Sequence, residues 1–166
     1  MSATPSGRRQ RWLVGVTEYA GLTAYTGGIG RHYASLLPAV VRQSIDVGLV
    51  VFAEDDLAPG RVVEGVRLLA RHRRAKGPEW LQPVLRALRF RRDVARFRPD
   101  RVFLPEWAGL GALLPADVDL VTNLATSMRL SNEVSGVARR SLPATVVGSL
   151  RSNPGVRIAR SDAHAV

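Results

Sequence analysis

Four short apolar runs, spaced by stretches of a different period, restrict what this chain can fold into. Residues 12–17 (WLVGVT), 45–53 (IDVGLVVFA), 101–104 (RVFL) and 118–124 (VDLVTNL) are too short for buried helices. The first two read as buried strands and the last two as further strands. Between the first two, residues 29–42 place Ile29, Tyr33, Leu36, Leu37 and Val40 at helical spacing, and Pro38 predicts a kink or an early end. Residues 61–69 (RVVEGVRLL) read as a further strand. Residues 79–97 read as an amphipathic helix with Leu81, Val84, Leu85, Leu88 and Ala95 on its core face, broken near its start by Pro83 and stopped at Pro99 and Asp100. Strands alternating with helices predict an α/β fold, a Rossmann-like parallel sheet flanked by helices.

The length of 166 residues suits one domain. Residues 1–11, polar and basic with Pro5 and Gly7, are expected to be a flexible lead-in, and 12–166 the domain. Basic residues precede the first apolar run as in a secretory signal, but Glu18 interrupts it and no small-residue cleavage pattern follows. No run approaches the ~18 apolar residues of a membrane span. Cysteine is absent, which excludes disulfides and thiolate chemistry and is compatible with a reducing cytoplasm. The three histidines, His32, His72 and His164, have no metal-ligand spacing, so neither a metal nor a bound cofactor is expected.

The net charge is +10, and residues 61–101 carry thirteen basic against four acidic side chains. Such a segment suits nucleic acid, an anionic membrane or a phosphorylated ligand. Arg86, Arg89, Arg92 and Arg96, beside Trp80, Leu81, Phe90 and Phe97, are candidates for lying on anionic lipid; the alternative is a solvated arginine face. A non-enzymatic nucleic-acid-binding protein is the competing functional class. No nucleic-acid motif supports it, and aromatics make up only 6% of the chain, few for a stacking platform.

The stretch 24–40, AYTGGIGRHYASLLPAV, is the principal candidate site. Unpaired N–H groups and the positive end of the helix dipole make a glycine turn before a helix a natural phosphate cradle. Gly27, Gly28 and Gly30 equally fit a turn and cap, with Thr26 as N-cap. A dinucleotide fingerprint requires glycine or alanine where Tyr33 stands, and glycines directly after the strand; only Glu54, at the end of the second strand, matches. No Gly-Lys-Ser/Thr of a phosphate-binding loop occurs. Glu18, Glu106 and Trp107 follow strand ends, at the carboxyl edge where α/β sheets bind ligands. Each glutamate is a candidate for orienting an acceptor hydroxyl, or a turn residue satisfying backbone N–H groups.

Taken in order, the first strand, a loop of about ten residues, TGGIGRHYASLLPAV, RPDRVFLPEWAGLGALLP (98–115) and VDLVTNLATSMRL (118–130) resemble the N-terminal domain of family 4 glycosyltransferases of the GT-B fold. The resemblance covers residues 12–130 and extends to ARSDAHAV at 159–166. It implies the N-terminal half of a GT-B architecture and a retaining transfer of a sugar from a nucleotide-sugar co-substrate to a glycan, lipid or small-molecule acceptor. Gly27, Gly28 and Gly30, with Arg31 as charge partner, would meet the donor diphosphate. Leu124-Ala125-Thr126 stands where many members have Leu-His-Thr, so that donor contact is not assigned. The family's second, donor-binding domain lies outside these 166 residues. The expectation is therefore a truncated, acceptor-side half, inactive without a C-terminal partner domain, cytoplasmic and peripheral to the inner face of the membrane.

Overall fold

The computed structural model describes residues 8–105 and 107–123. Strand β1 (Arg11–Val16) leads through a loop into helix α1 (Gly28–Arg42), then β2 (Asp46–Val51), the short β3 (Val62–Val63) and β4 (Val66–Arg71). A 3-10 turn (Glu79–Leu81) opens helix α2 (Gln82–Phe97); β5 (Arg101–Pro105), a 3-10 segment (Trp107–Leu113) and β6 (Leu120–Asn123) follow. The sheet order is β3-β4-β2-β1-β5-β6. All neighbours pair in parallel except β3 with β4. The α/β expectation of a largely parallel sheet with helices is met at this level.

Both faces of the sheet are covered, which explains the unbroken apolar runs. On one face Val14, Val16, Val47, Leu49, Val51 and Leu68 pack with Tyr33 and Leu37 of α1. On the other, Leu13, Val50, Val102 and Leu104 pack with Phe90, Val94 and Phe97 of α2. Two central-strand glycines let these phenylalanines settle onto the sheet. A Cβ on Gly15 would lie 2.8 Å from Phe90 Cε2, and one on Gly48 would lie 3.0 Å from Phe97 Cζ.

That close packing sets the rotation of α2 and corrects the face read from its sequence. Its buried residues are Gln82, Ala87, Phe90, Asp93, Val94 and Phe97, whereas Val84, Leu88 and Ala95 point to solvent. Two large aromatic rings bury more apolar area than the aliphatic stripe does, and the glycines give them room.

Three local expectations also change. Residues 61–69 are not one strand, because Glu64 (φ 49°) and Gly65 (φ 84°) are both left-handed and fold the segment into the β3–β4 hairpin. Pro38 is buried within α1, which continues to Arg42. Pro83 lies in the first turn of α2, where no helical N–H is required, so it starts the helix instead of breaking it.

Candidate functional site

The site follows from the strand order. The connection from β1 leads through α1 to β2 on one side, while the connection from β4 through α2 lands on β5 on the other. The carboxyl ends of β1 and β5 therefore form a topological switch point, the place where open α/β sheets accept ligands. The loop leaving β1 and the N-terminus of α1 stand at this point.

The loop is fixed by its own polar groups. Thr23, 8% exposed, accepts from the Tyr19 N–H at 3.0 Å and donates to the Tyr25 carbonyl at 2.7 Å. Asp55, beyond β2, accepts from the Ala24 N–H at 2.7 Å. The Tyr19 ring anchors the loop in the core, 1% exposed.

Glu18 is the centre of the arrangement. Its Oε2 accepts from the Gly27 N–H at 2.8 Å and its Oε1 from the Gly30 N–H at 2.9 Å. The N-cap position of α1 is Gly27, so Thr26 is not the cap; a carboxylate nine residues upstream does that work for two N–H groups at the positive end of the helix. The pairing requires Gly30, because a Cβ there would lie 2.9 Å from Thr26 Cγ2 and 3.0 Å from Glu18 Cγ. Of the three glycines expected at a diphosphate, Gly27 and Gly30 thus have their N–H groups taken by Glu18.

Gly28 differs. It is exposed, a Cβ built on it meets nothing within 4 Å, and the N–H groups of Gly28 and Ile29 have no hydrogen-bond partner among the described residues. Arg31, one turn further, is also exposed. Tyr25, 78% exposed, stands beside the turn, its hydroxyl 3.4 Å from where a Gly27 Cβ would be. Sequence reasoning passed over this ring; an aromatic residue two places before a glycine pair was the available signal.

Two buried tyrosine hydroxyls, of Tyr19 and Tyr33, form no hydrogen bond. Burial, with the Glu64 charge adding to it, pushes the Tyr19 phenol up to about 12. Burial also raises Tyr33, and the polar side chain of Asn123, at the end of β6, offsets part of that rise.

The other sequence candidates fall elsewhere. Glu106 and the stretch 124–126 lie outside the described residues, and Trp107 opens the 3-10 segment after β5, at the switch point. Glu54 accepts from the Arg74 N–H at 2.7 Å. His32 is exposed and edge-on to Tyr33. His72, just past β4, pairs through Nε2 with Asp93 of α2 at 2.5 Å. Arg86, Arg89, Arg92 and Arg96 lie on α2, away from the glycine turn in sequence and on the opposite face of the sheet. A depression near Arg9, Arg11 and Gly65 lies at the amino ends of the strands, the opposite edge of the sheet from the glycine turn.

Among the described residues no group of three or more His, Asp or Glu side chains could hold a metal ion, and no helix is long and apolar enough to cross a membrane. No protein-family model, curated protein or solved structure matches this chain. Fold and site geometry therefore carry the functional reading.

Proposed function

We propose that this chain is the N-terminal, acceptor-side part of a retaining GT-B glycosyltransferase that takes its sugar from a nucleotide-sugar donor and acts in the cytoplasm. The supporting observation is the glycine turn opening α1 at the switch point between β1 and β5, where the N–H groups of Gly28 and Ile29 have no partner among the described residues and Arg31 is exposed. As the bond from the anomeric carbon to the diphosphate oxygen breaks, negative charge gathers on the leaving group. Fixed N–H dipoles, the helix end and a guanidinium favour that state over the ground state.

In this reading Glu18 organises the turn. It holds Gly27 and Gly30, so the Gly28 and Ile29 N–H groups are preset for an oxyanion, and Tyr25 offers a ring face to the donor. Glu18 also places a negative charge next to the anion site, which weakens diphosphate binding by this half alone. A C-terminal donor-binding domain supplies the missing attraction, and Glu106 and Trp107 remain the sequence candidates for contacting the acceptor.

Amide chemical shifts of the chain titrated with uridine and guanosine diphosphate sugars test this. The expected result is weak binding that moves Gly28, Ile29 and Arg31, no such movement with the uncharged nucleosides, and no turnover. Shifts confined to another part of the chain, or turnover without a second polypeptide, would overturn it.

A further inference from the structure

The rotation of α2 leaves an apolar stripe uncovered. Trp80, Val84 and Leu88, four residues apart, are 63%, 39% and 40% exposed and continue along the outer face into Arg91, Arg92, Ala95 and Arg96, all exposed. The only acidic residue of α2 is Asp93, which is 8% exposed and turned inward to His72. The outer face therefore combines aliphatic and indole surface at one end with a block of positive charge at the other; α2 itself has no exposed carboxylate, and Glu79, beside Trp80, pairs with Arg74.

We propose that this face docks the protein on an anionic lipid surface, with Trp80, Val84 and Leu88 entering the headgroup boundary and Arg91, Arg92 and Arg96 meeting lipid phosphates. Amphipathic surface helices bind membranes by this pairing of buried apolar area and charge attraction, and indole rings favour the interfacial depth. Charge complementarity selects the lipid: Arg91, Arg92 and Arg96 are exposed on this face, while other arginines of the segment, such as Arg67, Arg71 and Arg101, pair with carboxylates elsewhere. Nucleic acid would answer the charge but offers no place for the aliphatic side chains of Val84 and Leu88. The contacting set differs from the one expected from sequence. Phe90 and Phe97 are core residues, and Arg89 donates to the Arg73 carbonyl.

Co-sedimentation of the full chain with vesicles of phosphatidylcholine alone, and of phosphatidylcholine mixed with phosphatidylglycerol, tests the proposal. The expected result is about tenfold stronger binding to the anionic vesicles, loss of most of it in Leu88→Glu and in the double variant Arg91→Glu with Arg92→Glu, and quenching of Trp80 by brominated lipid that Trp80→Phe removes. All these positions are exposed, so circular dichroism should be unchanged in each variant. Equal binding to both vesicle types, binding that Leu88→Glu leaves intact, or tighter binding to an oligonucleotide than to anionic vesicles would overturn it. No nucleotide sugar enters the assay, so this proposal and the glycosyltransferase reading can fail separately.

Discussion

Helices α1 and α2 cover opposite faces of one sheet, yet they are used differently. The apolar residues of α1 go into the core, with Tyr33 and Leu37 fully buried, and its N-terminus is held by Glu18. Its free chemistry is confined to one turn, at Gly28 and Ile29. In α2 one aromatic face is seated over Gly15 and Gly48 while a second, aliphatic face meets solvent. A helix with one apolar face is finished by its sheet, whereas a helix with two leaves one of them for something else.

The largest expected effect separates the two faces of α2. Phe90→Ala should cost about 3–5 kcal/mol in denaturant unfolding, and Leu88→Ala less than about 0.5 kcal/mol. Comparable losses would mean that the aliphatic face is the buried one. The same logic applies to the strand beneath: Gly15→Ala drives a methyl into Phe90 and Leu104 and should cost about 1–3 kcal/mol.

The glycine turn gives the next contrast. Gly30→Ala forces its methyl against Thr26 and Glu18 and should destabilise by about 1–3 kcal/mol. Gly28→Ala, in open space, should be neutral or stabilising by up to about 1 kcal/mol. Removing the carboxylate in Glu18→Ala should cost about 1–2 kcal/mol through loss of the cap. Equal melting temperatures for the Gly28 and Gly30 variants would show that the Glu18 clamp does not govern this turn.

The buried phenols add a pH dependence. Tyr19 titrates near 10 when unfolded and at about 12 when folded, so above pH 10 the unfolded state loses a proton that the folded state keeps. Stability should therefore fall as pH rises from 10, by about 1.4 kcal/mol per pH unit at most for this group, and level off once the folded pKa is passed. Urea midpoints across this range should fall less steeply in Tyr19→Phe. At neutral pH that variant should be within about 1 kcal/mol of the parent or more stable, since the hydroxyl it removes has no partner.

Much of the sheet was legible because β1, β2 and β5 are short apolar runs bounded by polar turns. Such runs have no use for water on either side. The β3–β4 hairpin was not legible, since its Glu64-Gly65 turn lacks the Asn-Gly or Asp-Gly signal that announces two left-handed residues. At the site, Gly27, Gly28, Gly30, Arg31 and Glu18 were all visible in the sequence as residue types in a plausible order. That Glu18 grips two of those glycines and leaves the third open was not, because a contact across nine residues of loop depends on how Tyr19, Thr23 and Asp55 pin that loop.

By itself the sequence determined that this protein would have an α/β sheet buried on both faces, with a glycine turn opening its first helix; local periodicity and backbone permissiveness suffice for that. Only the tertiary structure decided which of two apolar faces α2 buries and which N–H groups at α1 are left unpaired. Both outcomes depend on shape: two glycines on neighbouring strands admit aromatic rings where larger residues would not, and one carboxylate reaches two N–H groups only because Gly30 lets the loop approach the helix.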